Sequence, residues 1–297
     1  MASRTIRLEG PVDLARTLFP LRRGHQDPTT RIGDGTVVRA LRTPDGPVVL
    51  TFRQVGTDRV EADAVGPGAG RVLEEDAPGL VGAHDDARGF QPRDAVVRDL
   101  WRKHRGVRLT HAAVLPVLTA AILEQKVTGH EARRAWRGLV RATSEAAPGE
   151  SGVWLPPEPE RVAATPSFVF HRFGVERRRA DVVRAVNSRS SRIEALKGSD
   201  ELQTWLRALP GIGPWTAAET ARLAMGDPDA VSIGDFHLPN LVAWILAGEA
   251  RADDARMLEL LEPYRGQRGR VQLLVEASGV RAPAFGPRAE IRSIAPL

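Results

Sequence analysis

The segment that most constrains the fold is a glycine-rich turn, Leu209-Pro-Gly-Ile-Gly-Pro-Trp-Thr-Ala. Helical patterns are predicted on both sides of it, over residues 200–209 and 214–225, so the turn joins two helices. Its two glycines accept positive φ angles and leave the backbone uncovered. Backbone N–H groups at a helix N-terminus bind oxyanions such as phosphate. The alternative reading is an ordinary helix–helix turn with no ligand.

The first part of the chain has the pattern of β-strands. Residues 36–42, 47–53 and 58–65 mix β-branched and apolar residues with polar ones, and Gly- and Pro-containing turns separate them. These three strands predict an antiparallel sheet, preceded by a helix over residues 11–18. The pattern loosens around residues 78–94. We therefore place a domain boundary there, between a β-rich domain 1–88 and a helical domain 89–297.

The second part of the chain reads as helical, which makes the fold class α+β. The loop expected between helices is the Pro- and Gly-rich stretch 148–159, and the tail from Arg281 is also expected to be a loop. Thr110 is the expected N-cap of the first long helix. The predicted helices are 111–126, 133–143, 177–187, 200–209, 214–225, 236–247 and 253–261, and the pair around the glycine-rich turn spans about 201–225.

Composition narrows the function. The net charge is +5, and residues 101–141 hold 9 basic and 2 acidic residues, which favours an anionic partner such as nucleic acid. Only 3 of the 42 basic residues are lysine, a bias that genome composition also produces. The chain has no cysteine, which excludes disulfides and thiolate-bound clusters. No apolar run predicts a signal peptide or a membrane span, so we expect an intracellular, cytoplasmic protein.

A second motif accompanies the turn. Asp235 lies 22 residues after Gly213, in Ser232-Ile-Gly-Asp-Phe-His-Leu, at the start of the next predicted helix. The turn and this aspartate together resemble the helix-hairpin-helix DNA glycosylase superfamily, and specifically its DNA-3-methyladenine glycosylase II branch. The resemblance extends over essentially the whole chain. It implies a DNA repair enzyme that flips a damaged, alkylated purine out of duplex DNA and cleaves its bond to the sugar.

The resemblance also implies which chemistry is missing. The related endonuclease III-like branch carries a four-cysteine cluster, which this chain cannot form. Bifunctional members use a hairpin lysine as a Schiff-base nucleophile, and the matching position here is Trp215. A monofunctional enzyme that leaves an abasic site is therefore expected, acting as a monomer on double-stranded DNA without an organic cofactor.

Asp235 is the expected catalytic residue. Loss of the base builds positive charge on the sugar, and a nearby carboxylate stabilises that charge and orients the attacking water. The alternative is that Asp235 caps the helix that follows it, and both roles can coexist. The expected base pocket consists of Trp215, Phe236 and Glu219. For Phe236, core packing is an equal alternative, and Glu219 is either a base-reading group or a solvated surface acid.

The remaining expectations come from the resemblance. Gln125 or Lys126 fills the gap left by the flipped nucleotide. Leu273 and Leu274 stand where relatives have pocket aromatics. Arg178, Arg179, Arg265 and Arg268 are candidate phosphate contacts. The hairpin is expected to grip DNA through Leu209, Gly211, Ile212, Gly213 and Thr216, and the carbonyls of Leu209 and Gly211 are a possible site for a structural cation.

Two alternatives stay open at this point. The first is a lesion-binding protein that kept the hairpin and lost catalysis; the presence of Asp235 favours the enzyme. The second is a glycosylase specialised for bulky or unusual bases, suggested by the departures at Glu219, Leu273 and Leu274.

Overall fold

The chain begins with an antiparallel sheet in the order β1-β5-β4-β3-β2 in the computed structural model, which describes residues 2–283. The strands are β1 (Ala2–Arg7), β2 (Thr30–Gly33), β3 (Thr36–Thr43), β4 (Gly46–Gln54) and β5 (Arg59–Val65). The last three confirm the predicted strands. β1 and β2, which the sequence pattern did not predict, lie at the sheet edges and bury only one side chain each, so their apolar signal is weak.

Helices make up most of the chain after the sheet, which confirms the α+β class. Short 3-10 turns lie at Phe19–Leu21 and Glu262–Tyr264. No helix within residues 2–283 combines the length and the apolar character that crossing a membrane requires. The helices are α1 (Leu14–Leu18), α2 (Ala69–Glu75), α3 (Ala77–Leu80), α4 (Ala95–His104), α5 (Val114–Glu124), α6 (Gly129–Thr143), α7 (Pro159–Ala164), α8 (Ser167–His171), α9 (Arg177–Asn187), α10 (Ser190–Glu194), α11 (Ser199–Arg207), α12 (Pro214–Met225), α13 (Leu238–Ala247), α14 (Asp254–Leu261) and α15 (Arg268–Ala277).

Both faces of the sheet are covered. Leu50 and Phe52 of β4 are fully buried in the main core, on the face that α1 and α2 pack against. Val49 points to the other face and packs with Val153 and Leu155 from the loop after α6. Burial on two faces explains why β4 is apolar without strict alternation.

Two apolar clusters organise the helices. The main core continues from the sheet into α5, α9 and α12. A second cluster joins α4, α13, α14 and α15, and includes Val231 and Leu238. The segment between α12 and α13 therefore runs from one cluster to the other, and it carries Asp235. The tail from Arg281, expected as a loop, lies almost wholly outside the described residues.

The starts of α5 and α6 differ from the prediction for local reasons. The hydroxyl of Thr110 donates to the carbonyl of Leu223 at 2.8 Å and caps no helix, so the expectation of a Thr110 N-cap was wrong. α6 begins four residues earlier than predicted because Thr128 and Glu131 form a capping box.

Candidate active site

The glycine-rich turn joins α11 to α12 as a tight hairpin. Gly211 has φ +91°, and a Cβ there would lie 2.4 Å from Cγ2 of Val182, so only glycine fits. Gly213 has φ −98° and open space around it. Ile212 is buried and anchors the turn. Within residues 2–283 the backbone N–H groups of both glycines have no acceptor, which leaves them available to an anion at the start of α12.

Gln125 ties the end of α5 to this hairpin. Its Nε2 donates to the carbonyl of Gly211 at 3.1 Å and to Oγ1 of Thr216 at 2.8 Å. This half-buried side chain is therefore engaged by the hairpin. Lys126 is exposed and has φ +54°, a left-handed conformation rare for a side chain of this kind. Of the two wedge candidates, Lys126 is the one whose side chain makes no hydrogen bond or ion pair within residues 2–283.

Asp235 is held on both carboxylate oxygens. Oδ2 accepts a hydrogen bond from Nε1 of Trp215 at 3.0 Å. Oδ1 accepts from the backbone N–H groups of His237 at 2.7 Å and Leu238 at 2.9 Å, and so satisfies two donors at the start of α13, whose N-cap residue is His237. Its own N–H donates to the carbonyl of Ser232 at 3.2 Å. The carboxylate is thus fixed against the hairpin helix, and the capping role is present.

The expected pocket residues do not come together as predicted. Trp215 is half-buried beside Asp235, but Phe236 is 85% exposed and its ring contacts His237 edge-on at 4.9 Å. The core-packing alternative for Phe236 was therefore wrong, and its ring makes no contact with Trp215 within the described chain.

Glu219 is neither a free base-reading group nor a solvated acid. Both its carboxylate oxygens accept from Nη2 of Arg222, at 3.0 and 2.9 Å, and Oε2 also accepts from the Ser232 hydroxyl at 2.8 Å. Burial alone would raise the pKa of Glu219, but the charge and hydrogen bonds of Arg222 and the Ser232 hydroxyl hold it below its ordinary value. The carboxylate is committed to this internal ion pair.

Comparison with known proteins identifies the fold. No protein-family model matches the sequence, and no curated protein matches it. Solved structures do match. The 3-methyladenine DNA-glycosylase from Archaeoglobus fulgidus superposes with a TM-score of 0.78 at 15% identity, over 92% of this chain and 97% of that one.

The 8-oxoguanine glycosylase/lyase from Clostridium acetobutylicum gives a TM-score of 0.72 at 12% identity, over 93% of this chain and 96% of that one. The 3-methyladenine DNA glycosylase from Schizosaccharomyces pombe, solved in complex with abasic DNA, gives 0.52 at 16% identity, over 65% and 96%. The chain has the fold of DNA glycosylases.

The four candidate phosphate contacts of this glycosylase fold divide into two kinds. Arg179 is buried and donates to the carbonyl of Leu123 at 2.9 Å. Arg268 is held by Asp229, with Nε 2.8 Å from Oδ1. The burial of Arg179 contradicts its expected role, while Arg268 is half-buried and its phosphate contact stays a prediction. Arg265 is exposed and pairs with Glu262, while Arg178 is exposed and has no partner within residues 2–283.

Both carbonyl groups of the expected cation site already accept hydrogen bonds within the protein. The carbonyl of Leu209 accepts from the N–H of Ile212 at 3.2 Å, and that of Gly211 accepts from Gln125. A cation would have to share both oxygens with these donors. The described chain also has no cluster of three or more His, Cys, Asp or Glu side chains suited to a metal. The cation stays a prediction.

The fold also has a recess of about 210 Å³ beside the end of α5. Glu124 and Arg23 form an ion pair in it at 3.0 Å. Burial raises the pKa of Glu124, and the charge of Arg23 opposes that shift. The residues that line the recess are Phe19, Arg22, Arg23, Gly24, His25, Glu124, Gly129 and Arg133.

Several residues near Asp235 were missed by sequence reasoning. Arg222, Ser232 and Gln272 are almost completely buried and hydrogen-bonded next to Glu219. One signal was available: Glu219 and Arg222 have the i, i+3 spacing of a helical ion pair. Leu273 and Leu274, at the expected aromatic positions, are buried core residues.

Proposed function

We propose that this protein is a monofunctional DNA glycosylase that flips a damaged purine, in the first instance an alkylated one, out of duplex DNA and hydrolyses its N-glycosidic bond. The observation that carries the proposal is the Asp235 carboxylate, fixed by Trp215 against the helix that follows the hairpin. The fold is that of solved DNA glycosylases.

The hairpin supplies the grip on DNA. Its unpartnered N–H groups, at the N-terminus of α12, suit a backbone phosphate and carry no sequence preference. The exposed side chains of Lys126 and Arg178, which make no hydrogen bond or ion pair within residues 2–283, add positive charge. Binding through phosphates allows the protein to scan DNA of any sequence.

Asp235 supplies the charge stabilisation. The C1′–N bond breaks, its electron pair leaves with the base, and an oxocarbenium-like sugar remains. An alkylated purine that carries a positive charge leaves as a neutral molecule. Water then adds to C1′, and its proton passes to Asp235 or to solvent. The half-buried Trp215 offers its ring as a stacking surface for the flipped base, worth about 1–3 kcal/mol, while its N–H orients the carboxylate.

The reaction is proposed to stop at the abasic site. The three lysines are Lys103, Lys126 and Lys197, and Trp215 stands at the hairpin position where bifunctional enzymes have one. Lys126 is exposed, whereas a lysine that acts as a nucleophile needs a desolvated environment.

Two assays test this proposal. Purified protein is incubated with alkylated duplex DNA, and free 3-methyladenine is measured. Release is expected; none across alkylated, deaminated and oxidised substrates contradicts the proposal. Borohydride trapping on the same DNA is expected to give no covalent adduct. An adduct that Lys126→Ala abolishes would show a bifunctional enzyme.

The polar recess favours a second candidate, a glycosylase for a polar modified base. Glu219 and the two leucines remove the aromatic pocket that the resemblance implied. The recess holds Arg22 and the Arg23–Glu124 pair instead, and the charges of this pair interact with that of Glu219. These groups match a base with extra hydrogen-bonding atoms better than an added alkyl group. In the substrate panel, faster release of oxidised or deaminated purines than of alkylated ones selects this candidate.

A further inference from the structure

Five side chains next to Asp235 form a closed ring of hydrogen bonds and ion pairs. Arg222 donates to Glu219, and the Ser232 hydroxyl donates to the same carboxylate. Gln272 Nε2 donates to the Ser232 hydroxyl at 3.1 Å and to Oε1 of Glu276 at 2.8 Å. Oε2 of Glu276 lies 3.2 Å from Nη1 of Arg222, which closes the ring.

The hydrogen bonds around Ser232 run in one direction. The Gln272 Oε1 accepts from the backbone N–H of Ser232 at 3.1 Å, which fixes the amide orientation. Its two N–H groups then point at Ser232 and Glu276, so the single Ser232 proton goes to Glu219. The hydrogen bonds that join Glu219, Ser232, Gln272 and Glu276 therefore support one another.

The ring joins three parts of the fold around Asp235. Glu219 and Arg222 belong to α12, Gln272 and Glu276 to α15, and Ser232 to the segment between α12 and α13. Ser232 is 2% exposed, and its carbonyl accepts from the Asp235 N–H, so the two residues share one turn. A shift of Ser232 therefore moves Asp235.

Asp235 is consequently attached to α12 at two points. One is direct, through Trp215, and the other runs through Ser232 to Glu219, one helical turn further along α12. Two attachments fix the direction of the carboxylate as well as its distance. Asp235 also interacts electrostatically with the ring. Burial would lower the pKa of Arg222, but the charges of Glu219, Glu276 and Asp235 raise it.

We infer that this ring of Glu219, Arg222, Ser232, Gln272 and Glu276 positions Asp235 for catalysis. The inference rests on the proposed function. Stability alone does not account for such a ring, because buried ion pairs are often replaced by apolar residues at no cost in stability. Its members are positioning residues, since none of them has to touch the DNA.

The test compares ring variants with the wild type in single-turnover base release, on a duplex that the wild type cleaves. Ser232→Ala removes the hydroxyl, and Gln272→Glu keeps the shape but removes both donors. We expect each to slow base release by about 10- to 100-fold, the cost of a small misplacement of a catalytic group. Affinity for the lesion duplex should stay within about two-fold, because hairpin contacts are untouched.

Thr143→Ala is the control. It removes a buried hydroxyl that donates to the carbonyl of Leu139 at 2.8 Å in α6, outside the ring, and its rate is expected to equal that of the wild type. Thermal unfolding of every variant shows whether it is folded at the assay temperature. Should the serine variant not fold, Glu219→Gln, which preserves the side-chain shape, takes its place.

The outcomes separate the two claims. Folded ring variants that release base at the wild-type rate overturn the positioning role, and so does a loss of rate matched by an equal loss of affinity. A wild type that releases no base from any duplex contradicts the proposed function itself.

Discussion

The hairpin and the segment that carries Asp235 are built in opposite ways. The hairpin presents backbone: its key residues are two glycines, and its outward N–H groups have no partner in the described chain. The segment from Val231 to Asp235 is held by side chains from three helices, through Trp215, Gln272 and Asp254. Gripping a phosphate needs exposed N–H groups, whereas stabilising a charge on one sugar needs a carboxylate in one place. We therefore expect substitutions in the Asp235 segment to slow base release, and substitutions in the hairpin to weaken DNA binding.

The largest effect is expected from Asp235→Asn. The asparagine carbonyl still accepts from His237 and Leu238, so α13 stays capped, but the negative charge is lost. Base release should fall by on the order of 100- to 1000-fold while lesion-DNA affinity is retained. The matched control is Asp253→Asn, since the Asp253 carboxylate also accepts a backbone N–H group at a helix start, that of Arg256 in α14. Equal rates for wild type and Asp235→Asn would remove Asp235 from the mechanism.

Trp215→Phe should have the next largest effect. The ring remains for stacking, but Oδ2 of Asp235 loses its donor. We expect about 10-fold slower single-turnover release with affinity changed less than about two-fold. Trp205→Phe, on α11, is the control for loss of an indole N–H. A loss of affinity without a loss of rate would show that Trp215 acts only in binding.

Gly211→Ala tests the hairpin side of the comparison. The new Cβ would meet Val182 at 2.4 Å in a left-handed backbone conformation, so the free energy of unfolding should fall by about 1–3 kcal/mol. DNA affinity should fall with it. Gly213→Ala has no such clash, and its stability should change by less than about 0.5 kcal/mol. Denaturant unfolding and DNA titration measure both quantities; equal stability of the two variants would contradict the geometry.

The smallest effects distinguish two neighbouring arginines. Arg178→Ala should leave stability unchanged and reduce the slope of log K against log salt by about 1, as expected for one lost phosphate contact. Arg179→Ala should instead destabilise the fold by about 1–3 kcal/mol, because the buried carbonyl of Leu123 loses its donor. The reverse pattern would mean that the roles of the two residues have been exchanged.

Which of these two arginines is buried could not be predicted from the sequence. Arg178 and Arg179 are adjacent and chemically identical, and only the rotation of α9 decides which one is buried. In contrast, α9 and α12 have the predicted bounds, because their apolar residues recur at helical spacing and Pro214 marks a start.

The candidate site was predictable in part for the same reason. Asp235 lies next to the hairpin helix, as a local motif at fixed spacing suggested. The ring was not predictable from the sequence. Gln272 lies 37 residues after Asp235, and no short-range pattern links Gln272 or Glu276 to Ser232. The predicted position of Phe236 in the pocket was wrong. α13 begins at Leu238, two residues later than predicted, so Phe236 precedes the helix and its ring is exposed.

The measurement that tests the central claim most directly is the mass of a DNA strand carrying one damaged purine, after incubation in duplex form with excess protein. We predict a strand that has lost the base, gained one water and kept its full length, and we expect Asp235→Asn to form this product on the order of 100- to 1000-fold more slowly. A strand of unchanged mass would contradict the glycosylase, and a strand cut at the lesion would contradict the monofunctional mechanism.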